Sequence, residues 1–307
     1  MYRVNTFGRY LRDIFGEKVY KVPVSISGFS CPNIDGTKAK GGCTYCDNES
    51  FSPNLQSKKS IVTKELQLKQ LEYQYFATRD RLQNKFGVKK FMIYFQSFSN
   101  TYSDLDTLKL LYNRALSFND VVGISIGTRT DCIDDEKLEF ISKLSKKYEV
   151  WIEYGIQSIH NQTLDKINRG DNYENTLYWI KKTKNYNINI CGHIILGLPN
   201  ESEEMMRETI NEVYNIGISS IKIHPLYIVK NTALANDYKN GLFSPIDKDL
   251  YLKLLIEAII NIPKDLSIQR VTAGIDNDTM LTPMWCKDKN QLIREIRDKL
   301  KERGFIY

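Results

Sequence analysis

Residues 31–46 read CPNIDGTKAKGGCTYC. Cys31, Cys43 and Cys46 follow a C-x11-C-x2-C spacing, and no histidine or fourth cysteine completes the group locally. Structural zinc wants four ligands closed in a tetrahedron, so its fourth would come from Cys132, Cys191, Cys286 or a histidine. A thiol-redox pair at Cys43 and Cys46 leaves Cys31 unused. A catalytic zinc with three thiolates and one open position stays open as a reading. So does a [4Fe–4S] cluster, in which three thiolates leave one iron for substrate or cofactor. Gly36, Gly41 and Gly42 permit the close backbone approach that a bulky inorganic group requires.

Outward from this loop, β-rich runs alternate with amphipathic segments. Strands are expected at 21–29, 90–97, 121–128, 149–158, 188–197 and 219–229, and helices at 60–85, 103–118, 134–147, 161–185 and 202–216. Acidic or hydroxylated N-caps open several of them, as at Ser103-Asp104, Asp134-Asp135-Glu136 and Ser202-Glu203-Glu204. Repeated strand–helix alternation implies a parallel sheet. The unusual residues sit at the strands' C-terminal ends, where a barrel gathers its site: Gln96, Arg129, Gln157, Gly197-Leu198-Pro199 and His224-Pro225. The expected fold is α/β, a six-stranded partial (β/α)6 TIM-type barrel. Its expected parts are an N-terminal segment 1–20, the barrel 21–230, and a C-terminal α/β extension 231–307 packed on it. That extension holds helices near 247–260 and 288–303, with a strand near 266–271.

Composition narrows the function classes. The chain has 307 residues, 43 basic against 37 acidic, a net charge of +6 and a pI near 8.8. Such mild, dispersed basicity is compatible with a polyanionic partner, but on charge alone a solvated lysine-rich surface is the better fit. Six cysteines without a secretory h-region point to a reducing, cytoplasmic setting rather than a disulfide framework. Cys132, Cys191 and Cys286 read as core thiols, and the apolar runs are too short and too charged to span a membrane.

Several segments together carry a family. A three-cysteine loop after strand one, with an aromatic before its last cysteine, resembles that of radical S-adenosylmethionine (SAM) enzymes. EYGIQSIHNQTLDKINRG (153–170), HIILGLPNES (193–202) and KIHPLYIVKNTALA (222–235) resemble further motifs of the superfamily and of its Elp3-related branch. IQRVTAG (268–274) and LTPMWC (281–286), with the long last helix, are similar to the smaller YhcC/YtqA-type group within that branch. The resemblance implies a [4Fe–4S] cluster on Cys31, Cys43 and Cys46, with SAM chelated at the open iron and cleaved to a 5′-deoxyadenosyl radical. It further implies tRNA as substrate, modified at the C5 side chain of wobble uridine from a carboxymethylaminomethyl to an aminomethyl type. An electron donor such as flavodoxin or ferredoxin is implied as well. The alternatives are a radical SAM enzyme acting on a small metabolite or cofactor precursor, and a noncatalytic zinc-stapled RNA-binding protein.

The resemblance also proposes contacts. Tyr45 shields the cluster or lies beside adenine. Gln96 and Ser97 end the second strand, where most of the family carries glycines and an acid, and Asn100 stands nearby. Arg129 reaches a ribose or phosphate, or pairs with Asp131. Gln157 binds the ribose hydroxyls, and Glu153 meets the methionine ammonium or pairs with Arg169. Arg169, before Gly170, takes the methionine carboxylate in a bidentate contact. His193 hydrogen-bonds near the ribose, and Gly197, Leu198 and Pro199 shape the adenine turn. Lys222 and His224, alternate residues of one strand, are candidates for substrate contact or proton transfer. Lys230 is a candidate for phosphate, and Cys286 reads as a hydrogen-atom donor or a buried thiol. The basic residues of 1–20 and 64–90 are candidate guides for an anticodon arm, or an ordinary solvated face.

Overall fold

The computed structural model describes residues 1–47, 62–272 and 278–307. The start of the expected 60–85 helix and the last residues of IQRVTAG lie outside the described residues.

Seven parallel strands form one curved sheet, in chain order from edge to edge. They are β2 (Val19–Val24), β3 (Lys90–Phe95), β4 (Val121–Thr128), β5 (Glu149–Gln157), β6 (Asn189–Leu196), β7 (Ser220–Pro225) and β9 (Ser267–Arg270). The seventh strand corrects the six-stranded expectation, because β9 pairs with β7 and so belongs to the sheet rather than packing on it. The expected 219–229 strand also divides: Ile228–Val229 (β8) leaves the sheet and pairs antiparallel with Met280–Thr282 (β10).

Helices α2 (Lys64–Phe86), α3 (Leu105–Leu116), α4 (Asp135–Ser145), α6 (Tyr173–Asn185), α7 (Glu203–Asn215) and α9 (Lys248–Asn261) make the crossovers, with the short α5 (Asn161–Lys166) before α6. The aliphatic faces of these helices and the outer faces of the strands make one core, running from Val22 and Leu71 to Ile268 and Leu300. Side-chain N-caps start most of these helices: Thr63, Asp104, Asp134, Asn172, Ser202 and Asp247 each accept from a first-turn N–H.

The N-terminal segment has a structural task. Helix α1 (Phe7–Phe15) packs Phe7 and Leu11 against Met92, Trp151 and Cys191, at the N-terminal ends of the strands. Phe7 meets Trp151 edge-to-face at 5.0 Å, and Tyr10 donates to Glu149, the first residue of β5, at 2.8 Å. Ile268 donates to the Asn5 carbonyl, which covers part of the β9 edge. Residues Tyr2–Arg3 (β1) pair with Phe305–Ile306 (β11), beyond the last helix α10 (Lys289–Glu302). Helix α1 plugs the end of the barrel opposite its mouth, and Arg9 is engaged with the Val4 and Ile306 carbonyls. Of the basic residues at 64–90, Lys69 pairs with Glu65, Arg79 with Asp80 and Asp120, and Lys90 with Glu17.

Among the described residues, no helix is long and apolar enough to cross a membrane. Cys132, Cys191 and Cys286 are buried free thiols.

Candidate active site

The C-terminal ends of the strands and the loop after β2 enclose a cavity of about 310 Å³. Cys31, Cys43 and Cys46 all line it.

The cysteine loop is held by hydrogen bonds rather than by regular structure. Ile34 and Asp35 donate to the Cys31 carbonyl and Cys46 to that of Cys43, while Gly41 and Gly42 adopt φ of 84° and 78°. Asn33, fully buried, donates through Nδ2 to the Asn168 and Arg169 carbonyls at 2.6 and 2.7 Å, and lies 3.6 Å from the Cys43 sulfur. Asn168 returns the clasp by donating to the Lys40 and Gly42 carbonyls. Gly170 is required here, since its φ is 63° and a Cβ would stand 2.7 Å from Asn33 Oδ1. The C-x-N of the first turn and the N-R-G of 168–170 are therefore one interlocked unit. Asn33 is a residue that spacing alone gave no reason to single out.

The thiols fit an iron–sulfur cluster better than a single ion. All three face one cavity, yet among the described residues no three ligating side chains converge to hold one metal ion. Zinc draws its sulfurs to ~2.3 Å from a common point, whereas a cluster takes each thiolate on a separate iron. Burial, then the neighbouring Cys43 and Cys31, push the Cys46 thiol well above its ordinary value.

Arginines border the thiols. Arg129 is fixed by two hydrogen bonds to Asp131 at 2.7 and 2.6 Å, donates to the Arg169 carbonyl, and places Nη1 3.9 Å from the Cys31 sulfur. It lines the cavity already neutralised by Asp131, the second of its two expected roles. Arg169 is buried, donates from Nη2 to the Gly155 carbonyl at 2.6 Å, and also lines the cavity. Gln157 has φ of 70° where the β5–β6 register shifts, and its amide lies over Gly155, whose Cβ would stand 2.6 Å from Gln157 Nε2. A strained non-glycine residue at a strand end facing a cavity is a mark of a functional site.

Deeper in the barrel, Glu153 is the hub of a buried polar layer. It accepts from Lys21, Lys222, Ser125 Oγ (2.5 Å) and His193 Nε2 (2.8 Å). Arg169 is not among these partners, so the pairing expected for it is corrected: Arg169 turns to Gly155, and Lys21 and Lys222 project inward at the depth of Glu153. Burial alone would raise the Glu153 carboxyl, but Lys21 and Lys222 outweigh it and hold the group well below the carboxylate range. Burial lowers Lys21 to about 8. Burial and Lys222 lower His193 to about 4, and burial with Arg270 takes His224 well below its usual range. Both imidazoles are neutral at pH 7.

Lys222 and His224 line the cavity as expected of alternate residues on β7, and Tyr45 and Gln96 line it too. Ser97 does not: it is buried and shares a 2.6 Å hydroxyl contact with Ser25. Gly197, Leu198 and Pro199 are likewise not on the cavity wall. Gly197 turns at φ of 87° against Ile246, and Leu198 is packed with Leu164, Ile167 and Leu226. The apolar wall nearest them is Ile195 and Leu226, with Tyr45 against the same apolar group. Lys230 is exposed and Cys286 is buried, and neither lines the cavity. Lys21, Tyr94, Tyr227 and Arg270 were not legible as site residues. The available signal for Lys21 was one lysine in an otherwise apolar first strand.

Known proteins agree with this architecture. The model of the radical SAM superfamily matches residues 35–213, and that of the Radical_SAM C-terminal domain matches residues 218–302. The uncharacterized protein YtqA of Bacillus subtilis is 33% identical, covering 98% of this chain and 91% of its own length. A tRNA uridine(34) acetyltransferase of Methanocaldococcus infernus is 23% identical, over 58% of this chain and 33% of its own. The solved structure of archaeal Elp3 from M. infernus, lacking its N-terminus, superposes with a TM-score of 0.68 at 17% identity, covering 93% of this chain and 63% of that one. Together with the three thiols on the barrel mouth, these matches place the chain in the radical SAM superfamily, enzymes that use a [4Fe–4S] cluster and SAM, beside YtqA.

Proposed function

We propose that this enzyme modifies the C5 side chain of the wobble uridine of tRNA, converting a carboxymethylaminomethyl to an aminomethyl group: the glycine-like methylene would lose a hydrogen atom to the radical, a proton to a base and an electron back to the oxidised cluster, and water would then split the resulting imine to release glyoxylate. The observation that carries the chemistry is the convergence of three thiols, Arg169 and a buried Lys–Glu–His layer on one cavity at the strand ends. The tRNA assignment is supported by the Elp3-like kinship, in which one relative's name specifies tRNA uridine 34.

When bound, the cluster and SAM supply a carbon-centred radical able to remove a hydrogen atom from an unactivated C–H bond, with an electron from a donor such as flavodoxin or ferredoxin. The protein's part is placement and exclusion. Cys31, Cys43 and Cys46 hold the cluster. Arg169 offers its remaining guanidinium N–H groups to the methionine carboxylate, and Gln157 its amide to the ribose. Tyr45, Ile195 and Leu226 give the adenine an apolar wall and keep water from the reacting carbon. His224, neutral and on the wall, is placed to contact the substrate side chain, and Lys222 stands two residues before it on the same strand. Leu198, in the turn after β6, packs behind Leu226 and so backs this wall.

Nucleoside mass spectrometry of tRNA from a strain lacking this gene tests the assignment. Accumulation of the carboxymethylaminomethyl nucleoside, with loss of the aminomethyl product, is expected. An unchanged wobble-uridine profile would leave the radical chemistry in place and move the substrate to a small metabolite.

A further inference from the structure

The cavity wall carries more positive charge than its own carboxylates balance. Glu153 is the sole acid among the lining residues, and it already meets Lys21 and Lys222. Arg129 is matched by Asp131 behind the wall. Arg169 is taken by the cofactor role given above. Arg270 remains: it lines the cavity from β9, stands in register with Lys222 on β7, and among the described residues has no carboxylate within ion-pair distance. His193 and His224, on the adjacent wall, are neutral and add no compensating charge of either sign.

The surroundings are shaped for an anion. Lys222 Nζ sits 4.5 Å from the centre of the Tyr94 ring and 3.5 Å from its hydroxyl, so the ammonium is held in place with donor capacity left over. The Tyr94 and Tyr227 side chains line the same wall. Arg270, exposed at the rim, and Lys222, paired with Glu153 on one side, stand in register on neighbouring strands with donor capacity that a further anion can engage. A guanidinium beside an ammonium suits a carboxylate or a phosphate, the first by a bidentate contact.

We propose that Lys222 and Arg270 form a subsite for a carboxylate carried by the substrate, which selects side chains ending in an acid over their neutral counterparts. The identity of that side chain rests on the function proposed above, while the subsite itself rests on charge and geometry. The RNA backbone offers the same chemistry as phosphate, so the test includes both.

The test is calorimetric titration of the anaerobically reconstituted, SAM-loaded enzyme with N-acetylglycine, N-acetylglycinamide and inorganic phosphate. N-acetylglycine should bind at least about tenfold more tightly than its amide, a difference of one charge-assisted contact. Arg270→Gln should abolish that preference and Arg270→Lys should restore part of it, with SAM affinity unchanged in both. Arg270 is exposed at the end of β9, so neither variant threatens the fold. Equal binding of acid and amide, or a preference that survives in Arg270→Gln, overturns the proposal. Phosphate binding in preference to N-acetylglycine, lost in Arg270→Gln, overturns the carboxylate assignment in favour of an RNA phosphate. Because binding needs neither tRNA nor turnover, acid selectivity with unchanged wobble nucleosides refutes only the tRNA reading. Modified wobble nucleosides without acid selectivity refute only the subsite.

Discussion

Glu153 decides the electrostatics of the barrel interior. One carboxylate with two ammonium groups, a hydroxyl and an imidazole has every lone pair engaged, which is what allows charge at that depth. Glu153→Gln removes the balancing charge from Lys21 and Lys222 and should cost about 3 kcal/mol or more in denaturant unfolding. His193 gives the layer a pH signature. Its folded value is about 4 against an ordinary 6.5, so between those pH values the unfolded chain binds a proton that the folded chain refuses. Stability therefore falls as pH drops through that window, by at most about 3 kcal/mol, and is flat in this respect above 6.5. Burial, then Lys222 and Lys21, set this shift against the opposing pull of Glu153, and the His224 ring lies 6.1 Å away. His193→Asn should remove most of the loss between pH 6.5 and 5, measured as the change in unfolding free energy against wild type. An unchanged slope would place the titrating group elsewhere. The inward direction of Glu153, Gln157, Lys222 and His224 was legible from strand alternation. Their partners were not, because Lys21 and Glu153 lie 132 residues apart and meet only when the sheet curls.

At the level of elements, α2 does more than cover the sheet. Gln67, Gln70 and Gln74 lie on one helical face and bond to the chain just beyond the edge strand β2. Gln74 accepts from the Ser25 N–H at 2.7 Å and donates to the Ser25 carbonyl at 2.8 Å, standing in for a missing neighbouring strand. Gln70 does the same for the Ser27 N–H and hydroxyl. These residues lead directly into the cysteine loop. Gln74→Ala should therefore cost about 2 kcal/mol for two unsatisfied backbone groups and lower the iron bound per chain after reconstitution. A loss of stability with full iron loading would make the contact merely structural. The strand–helix alternation was legible because each element carries its own periodicity and caps. The glutamines were not, since polar residues on a crossover helix ordinarily face water. The mixed character of β9, short and ending in an arginine, likewise concealed that it completes the sheet.

For the molecule as a whole, the two ends of the barrel are divided between structure and chemistry. Phe7, Leu11 and Trp151 seal the N-terminal end, while the opposite end carries the thiols and the cavity. The basic count of residues 1–20 gave no information about which end they occupy, and only the packing of Phe7 on Trp151 decides it. Phe7→Ala should cost about 3–4 kcal/mol through the cavity it leaves. It should leave tRNA affinity within about twofold in a filter-binding titration, a change too small to be a lost phosphate contact. A large loss of tRNA affinity in a folded Phe7→Ala protein would return α1 to the RNA-binding surface. Above all, the fold, the three thiolates and the polar floor fit a radical SAM enzyme, and the proposal is that its radical is spent on tRNA wobble uridine. The most direct measurement is an anaerobic reaction of the iron-reconstituted protein with dithionite, SAM and tRNA from a strain lacking the gene. 5′-Deoxyadenosine and tRNA nucleosides are quantified from the same tube. The account predicts 5′-deoxyadenosine rising with the aminomethyl nucleoside, and neither product in Cys31→Ala, Cys43→Ala or Cys46→Ala. A wild-type protein that holds one zinc and forms no 5′-deoxyadenosine, or that forms it while the tRNA stays unchanged, would contradict it.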